Sequence, residues 1–366
     1  MTDEIRGIDD IAQLLVSGVT DWSPYGDVYT NTKNDLTIFN YKSEAQFAGR
    51  WNFFETVSRG LILNNKTGEI VARAFDKFFN WNEGGRKGRG HIVNVAEKVD
   101  GSLGILIRVP NDFQYAITTR GSFDGEQAEW ATRKLAEYHL HDLPYNITLL
   151  FEIVYPGNRI VVNYGDREEL VLLAARNRFT GEYLPFFPDV YMIGQEHGFR
   201  LPHIFKFNDM TEIIAMTDHL PVDQEGYVVE FSDGSRWKIK GDAYREMHKM
   251  INSISFNNVL TAVENSSLEA LLGRLPLSYQ LEVNQLALDV WELYGYFECK
   301  VLDAWERAPK GTRKEFALWV QANAHEVASF LFAKFDNRVL APLIFQTIRK
   351  LNVEERESIL EGDTFR

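Results

Sequence analysis

The chain has 366 residues, 39 Lys plus Arg against 52 Asp plus Glu for a net charge near −13, and a single cysteine, Cys299. That balance excludes a broadly basic surface but not a local basic groove. One thiol excludes an internal disulfide and a thiolate metal cluster. With 45% hydrophobic and 25% charged residues, the composition is that of a globular protein. No apolar run approaches the ~18 residues of a membrane helix. The opening MTDEIRGIDD is acidic and has no apolar stretch, so no signal or transit peptide is expected and the protein is placed in the cytoplasm, with no membrane partner. At roughly 150 residues per domain, the length suggests two or three domains.

In chain order, apolar spacing predicts a helix over Asp9–Leu15 and a strand over Leu61–Leu63. Gly84-Gly85-Arg86-Lys87-Gly88-Arg89-Gly90 is a flexible basic loop that fits neither Walker A nor dinucleotide spacing. Strands follow over Gly104–Val109 and Gln114–Thr118, a helix over Asp124–His139, strands over Thr148–Val154 and Leu170–Ala175, and a helix over Asp189–His197. Gly226–Phe231 and Ser235–Ile239 are strands too. The clearest hairpin pairs Tyr227–Phe231 with Arg236–Lys240 across Ser-Asp-Gly-Ser, in which Asp-Gly supplies the positive-φ turn residue. Strands with interspersed helices and no regular alternation indicate an α+β fold. From about Asp242 the pattern turns helical, as in Leu281, Leu286, Val290, Leu293, Phe297 and Val301. Ser266 with Glu269 reads as a capping box, and Pro276, Pro309 with Gly311, and Asp336 with Asn337 supply breaks. Domains are expected over 1–245 and 246–366.

There is no GxxxxGK[ST], GxSxG or HExxH. His139 and His141 diverge on a helix end and make a poor metal site. Lysines and carboxylates remain, and these suit covalent nucleotidyl transfer. In Lys98-Val99-Asp100-Gly101-Ser102 a lysine sits between two apolar strands. A lysine amine attacks only when neutral, which requires burial, nearby positive charge or metal to depress a pKa of ~10.4. Asp100 leaves the same strand end on the same side, where it can hold a water or metal against the phosphate under attack. Alone the pattern is common, expected by chance in roughly one chain in ten of this length.

Its ordered company makes it specific. The chain resembles the ATP-dependent RNA ligases of the phage RNA ligase 1 type, within the covalent lysyl-nucleotidyltransferase superfamily. Lys98–Ser102 resembles motif I, Thr119-Arg120-Gly121-Ser122 motif Ia with arginine where lysine is usual, and Phe151-Glu152-Ile153-Val154 motif III. Leu172–Arg176 resembles motif IIIa, Glu225-Gly226-Tyr227-Val228 motif IV, and Trp237-Lys238-Ile239-Lys240 motif V. Upstream, Ile38–Tyr41, Ser58-Arg59-Gly60 and Asp76–Asn80 resemble the module, about residues 1–90, with which these ligases grip the departing pyrophosphate.

The resemblance implies an antiparallel-sheet nucleotidyltransferase core, ATP-grasp-like, followed by an all-helical domain that helps choose the RNA. It implies Lys98 as the residue that takes AMP, assisted by Lys238 and Lys240. These two alternate on one strand and so face one side as a clamp for the α-phosphate. ATP would be held by Tyr41, Arg59, Lys77, Glu97, Gly101, Arg120, Glu152, Arg176, Lys238 and Lys240, and Mg²⁺ or Mn²⁺ by Asp100, Glu152 and Glu225. The implied partner is RNA with 5′-phosphate and 3′-hydroxyl ends, with broken tRNA a family-level candidate, and the implied state is a monomer. Two alternatives stand: a DNA ligase or capping-type nucleotidyltransferase, disfavoured because no run of short strands suggests an OB-fold after motif V, and a non-catalytic RNA-binding protein of the same fold.

Overall fold

The structure is a computed structural model and describes residues 4–81, 83, 88–109 and 114–362. The chain divides into two compact units, 1–246 and 247–366.

In the first unit, strands β1 (Val28–Lys33), β2 (Leu36–Tyr41), β3 (Arg59–Asn64) and β4 (Ile70–Ala72) form one antiparallel sheet in that order. Every residue of β2 is buried, because helix α1 (Ile8–Val16) and the Trp22, Phe39 and Phe54 rings cover one face while Ile38 and Ile62 enter a second core on the other. Short helices α2 (Ser43–Ala48) and α3 (Phe53–Val57) connect β2 to β3, and α3 opens with a reciprocal Asn52/Glu55 capping box.

Two further sheets carry the rest. Strands β5 (Phe79–Asn80), β6 (Ile92–Glu97), β11 (Gly226–Phe231) and β12 (Arg236–Lys240) are ordered β5-β12-β11-β6. Strands β7 (Ser102–Arg108), β8 (Tyr115–Thr118), β9 (Ile147–Val154) and β10 (Glu169–Asn177) are ordered β10-β9-β7-β8. All neighbours are antiparallel except β12 with β5. Strand alternation divides each sheet cleanly. Val95, Tyr227, Val229, Trp237 and Ile239 turn into one core with Ile213 of α6 (Met210–Thr217). Phe151, Ile153, Leu170 and Leu172 turn into another beneath α4 (Glu126–Lys134) and α5 (Tyr191–His197). The opposite face of the β10-β9-β7-β8 sheet packs in part on the first sheet through Ile105, Ile107 and Leu150, and the rest of it, with the opposite face of the β5-β12-β11-β6 sheet, is left to build a cavity.

Helix α7 (Asp242–Ile251) crosses the unit boundary. The second unit continues through α8 (Phe256–Glu264), α9 (Leu268–Leu272), the 31-residue α10 (Leu277–Arg307), α11 (Arg313–Asn323), α12 (Ala328–Phe335), α13 (Ala341–Lys350) and α14 (Val353–Leu360). Its core gathers Val259, Val283, Val290, Leu293, Val301, Phe316, Leu331 and Ile344.

Several expectations change. Strands β1, β2, β4 and β5 were not read from sequence: β1 is half exposed, β4 and β5 are only three and two residues long, and β2 is buried on both faces and so shows no alternation. The helix expected over Asp124–His139 is α4 plus a 3₁₀ turn at Leu135–Glu137. Ser266 caps nothing: it has φ +53, and α9 starts from Ser267, whose hydroxyl turns back to Ala262 O at 3.3 Å. Leu281 is exposed, and Val283 takes the core position. In the basic loop, residues 84–87 lie outside the described residues; Arg89 N donates to Asp233 of the hairpin turn at 3.1 Å.

Candidate active site

A cavity of about 660 Å³ opens between the β5-β12-β11-β6 and β10-β9-β7-β8 sheets of the first unit. Asn94 and Ala96 of β6, Val228 and Glu230 of β11, and Arg236 and Lys238 of β12 line one wall. They are the alternate residues to those buried in the core behind. Leu103, Glu152, Leu173 and Ala174 line the other. The chain crosses from one wall to the other at Lys98–Gly101. Gly101 is required there, since a Cβ would stand 2.5 Å from Ile153 O. Gly226 is required for a related reason: it sits at φ +140 and a Cβ would meet Ile239 O at 2.0 Å.

Lys98 Nζ lies 2.6 Å from Glu225 Oε2, and Lys240 Nζ lies 2.8 Å from Glu225 Oε1. Glu225 is buried. Burial pushes its carboxyl up, but the two ammonium groups outweigh that and hold it below the usual range. Lys98 shows the mirror image: burial lowers its pKa, and Glu225, Glu152 and Asp100 more than restore it. With no nucleotide present, Lys98 is therefore a paired ammonium and not yet a nucleophile. Glu152 is pushed up to about 7 by burial and by Glu225 and Asp100, against the pull of Lys98 and Arg59.

Lys238 differs from Lys240. Its ammonium stands 4.6 Å from the Phe78 ring, and among the described residues no carboxylate pairs with it. Burial and the nearby charges of Arg59, Lys98, Lys77 and Lys240 hold its pKa well down. Arg59 Nη1 is likewise buried without a hydrogen-bond partner. Arg120 Nη1 donates to Tyr41 Oη at 2.9 Å, and Lys77 Nζ lies 5.2 Å from the Tyr41 ring and 4.6 Å from that of Trp51. Burial raises the Tyr41 pKa, but Arg120, Lys77 and Arg59 together bring it below its ordinary value.

The cavity lining thus includes Lys98, Glu97, Gly101, Arg59, Arg120, Glu152 and Lys238, whereas Tyr41, Lys77, Asp100, Glu225, Lys240 and Arg176 stand behind it. Two of these six are held by other groups of the protein. Arg176 is buried on β10, and its guanidinium is consumed by the protein: Nη1 and Nη2 reach Asp76 at 2.9 and 2.7 Å, Nη1 also meets Ala74 O, and Nε donates to Gly181 O at 2.8 Å. It braces β10 against residues 74–76. Asp100 accepts from Val161 N and Val162 N at 2.8 and 2.9 Å and from Tyr244 Oη at 2.7 Å, so it ties the Lys98 loop to 161–162 and α7. One lone pair remains for anything else.

Sequence reasoning missed Tyr244, Asn158, Arg236 and the aromatic wall. Asn158 accepts from Ser102 Oγ at 2.9 Å. Arg236 donates to Glu230 at 2.7 Å and lies 3.7 Å from the Tyr183 ring, which stacks on Phe75. Arg236 shares alternation with Lys238 and Lys240 and could have been found that way; Tyr244 and Asn158 carry no local signal.

The donor set fits a nucleoside triphosphate. An apolar, aromatic wall suits a base, while an orphaned Arg59 N–H and the unpaired Lys238 suit phosphates. Among the described residues no three His, Cys, Asp or Glu side chains form a metal cage. Two carboxylates, Glu152 and Glu225, with phosphate oxygens and water to complete the shell, do fit Mg²⁺.

A family model described as RNA ligase, of the T4 type 1, matches residues 57–245, just over half of the chain. A putative bifunctional polynucleotide kinase/RNA ligase of Autographa californica nuclear polyhedrosis virus is 31% identical over 252 residues, covering 60% of this chain and 34% of that protein. A putative RNA ligase of Thermovibrio ammonificans is 28% identical over 237 residues, 59% of each. The RNA ligase of Rhodothermus phage RM378 is 23% identical over 304 residues, 62% of this chain and 67% of the relative. The chain thus spans about a third and three-fifths of the first two relatives. Solved structures of Naegleria gruberi RNA ligase match at 19% identity over 44% of this chain and 52% of theirs, with a TM-score of 0.36, too low to add weight. Motifs, cavity and family match agree over one stretch of sequence: this chain belongs to the RNA ligase family of the T4 RNA ligase 1 type.

Proposed function

We propose that the chain is an ATP-dependent RNA ligase that joins 3′-hydroxyl and 5′-phosphate RNA ends, with broken tRNA as its substrate in repair. The observation that carries the reading is Lys98: a largely buried amine at the crossing of two sheets, held by Glu225 at 2.6 Å, in a cavity also lined by Lys238, which no carboxylate pairs with among the described residues, and by Arg59, whose Nη1 lacks a hydrogen-bond partner. The family match and the relatives named as RNA ligases support it.

In the first step Lys98 loses its proton to water as ATP enters; Glu225, held below the usual carboxylate range by two ammonium groups, is too weak a base to take it. The neutral amine then attacks the α-phosphorus of ATP: an N–P bond forms, the α–β bridging P–O bond breaks, and pyrophosphate leaves towards Arg59, Arg120 and Lys77. Lys238 stands over the charge that develops at the α-phosphate, where a preorganised cation in a water-poor site is most effective. A divalent ion held by Glu152 and Glu225 would supply further charge neutralisation there. In the second step an oxygen of the RNA 5′-phosphate attacks the lysine-bound phosphorus and frees Lys98. In the third, the 3′-hydroxyl attacks the activated 5′-phosphate, forming the phosphodiester and releasing AMP. Positioning and charge neutralisation carry such transfers, which agrees with a site of Lys, Arg and Glu without histidine. The helical unit is assigned to RNA choice.

The substrate class is tested with 5′-phosphorylated single-stranded RNA, single-stranded DNA and a nicked DNA duplex. Circularisation of the RNA at least tenfold faster than sealing of either DNA is expected. Sealing of nicked DNA alone would overturn the substrate assignment.

A further inference from the structure

The cavity of the first unit reaches both edges of the β10-β9-β7-β8 sheet, with Lys98 and Glu152 between them, and its two ends differ in chemistry. At the β10 edge Leu173, Leu184, Phe186 and Val190 give an apolar lining that suits a nucleoside. At the β8 edge the lining passes Arg59 to Asn40 of β2 and to Arg120, Gly121, Ser122 and Gln127, which follow β8. This end holds two guanidinium groups and no carboxylate. The turn that carries Arg120 is fixed on the first sheet: Asn31 Nδ2 donates to Gly121 O at 3.1 Å, and a Cβ on Gly121 would stand 2.5 Å from Tyr29 Oη. Asn40 and Arg59 are cross-strand neighbours, and Ser58 precedes Arg59. Asn40 Oδ1, Ser58 Oγ and Arg59 Nη1 are three of the six buried side-chain polar atoms that lack a partner among the described residues. Unmet polar groups gathered at one place mark where something from outside completes the structure.

We infer that the β8 end admits the 5′ end of the RNA, whose terminal phosphate takes the place pyrophosphate has left between Arg59 and Arg120. The inference rests on the ligase reading. In-line displacement sets the direction of approach. Lys98 attacks the α-phosphorus from one side and pyrophosphate leaves from the other. In the next step the Lys98 N–P bond breaks as the bond from the RNA phosphate oxygen forms, and Lys98 departs as an amine that takes a proton from water. The attacking oxygen must therefore arrive opposite Nζ, on the face pyrophosphate vacated. A nucleoside held at the β10 edge keeps the phosphorus from turning over between the two steps. One pair of guanidinium groups thus serves two phosphates in succession. Arginine at position 120 suits that double use: Nη1 holds Tyr41 Oη at 2.9 Å, and the rest of the fork still has N–H groups to offer a phosphate. Beyond the phosphate, the neutral polar side chains of Asn40, Ser122 and Gln127 suit the first ribose. Pyrophosphate and a 5′-phosphorylated RNA end then exclude one another, whereas a 5′-hydroxyl end is indifferent to pyrophosphate.

The full chain carrying Lys98→Ala cannot take AMP, so binding can be read on it without chemistry. By fluorescence anisotropy, a 5′-phosphorylated single-stranded RNA with a 3′ fluorophore should bind at least about fivefold tighter than the same RNA with a 5′-hydroxyl. Inorganic pyrophosphate should abolish that difference and leave the 5′-hydroxyl RNA bound. Gln127→Glu, a change of charge at nearly constant shape, should slow AMP transfer from the isolated enzyme adenylate to RNA at least about fivefold more than it slows self-adenylylation, with the loss in the RNA KM. Gln127→Lys should tighten binding of the 5′-phosphorylated RNA. Equal binding of the two RNAs, a difference that pyrophosphate leaves intact, or equal slowing of both steps by Gln127→Glu would each overturn the proposal. A wild type that takes no AMP from ATP would overturn the ligase reading and this proposal with it, and the binding measurements on Lys98→Ala tell the two failures apart.

Discussion

Arg176 occupies a motif position that in the resemblance belongs to nucleotide binding, yet its guanidinium is spent on Asp76, Ala74 and Gly181. Arg176→Ala therefore ought to damage the fold and spare ATP recognition. Removing one member of a buried charge pair costs about 3–5 kcal/mol. Asp76 is about a third exposed (32%), so water can take over its oxygens and the lower end, about 3 kcal/mol, applies. For a unit of this size 1 kcal/mol moves the melting temperature by roughly 2–4 °C, giving a fall of roughly 6–12 °C. Arg176→Lys should recover less than half of the loss, because an ammonium cannot satisfy both carboxylate oxygens, a backbone carbonyl and the Tyr183 ring together. The assay pairs thermal melting of the metal-free protein with the KM for ATP in self-adenylylation, measured well below the variant's transition. An unchanged melting temperature with a KM raised tenfold or more would refute the reasoning and return Arg176 to the nucleotide.

Three other outcomes follow from the cavity. Gly101→Ala must displace either the Lys98 loop or central strand β9, because the new Cβ would lie 2.5 Å from Ile153 O and 3.1 Å from Glu152 Cγ. Single-turnover adenylylation is expected to fall by about 100-fold, with about 1–3 kcal/mol lost in stability; a wild-type rate would show that the crossing tolerates movement. Lys238→Met removes a half-buried cation that no carboxylate pairs with among the described residues, so adenylylation should slow by roughly 10²–10³ while the melting temperature holds or rises; a destabilised but fully active variant would contradict this. Glu152 has a folded-state pKa of about 7, above that of the unfolded chain, so the folded state binds the extra proton and the contribution of this group to stability falls as pH rises from about 4.3 to 7. In metal-free buffer Glu152→Gln should thus gain on wild type across that window and be more stable at pH 8; a pH-independent difference would exclude the assignment.

The legible parts of the sequence were those with strong local chemistry. Ser-Asp-Gly-Ser marks the β11–β12 hairpin, and period-two alternation puts Lys238 on the cavity side, where the structure has it. The loss of alternation after Asp242 marks the helical unit, and β1 escaped because Thr30–Lys33 is polar and half exposed at a sheet edge. The limits at the site are instructive. A charged residue in a motif slot looks the same whether it points at a ligand or back into the protein, and Arg176 and Asp100 do the latter. Tyr244 joins Asp100 across 144 residues of sequence, a proximity that only tertiary structure creates. Leu281 was read as core because helical spacing alone does not say which of two apolar faces turns inward, and α10 has two.

The central claim is that Lys98 is the covalent nucleophile. Wild-type protein incubated with α-³²P-labelled ATP and Mg²⁺, denatured and mapped by proteolysis, should carry acid-labile label on the peptide containing Lys98. Lys98→Ala and Lys98→Arg should carry none while melting as cooperatively as wild type. Absence of label on the wild type, or equal label on either variant, would contradict the account.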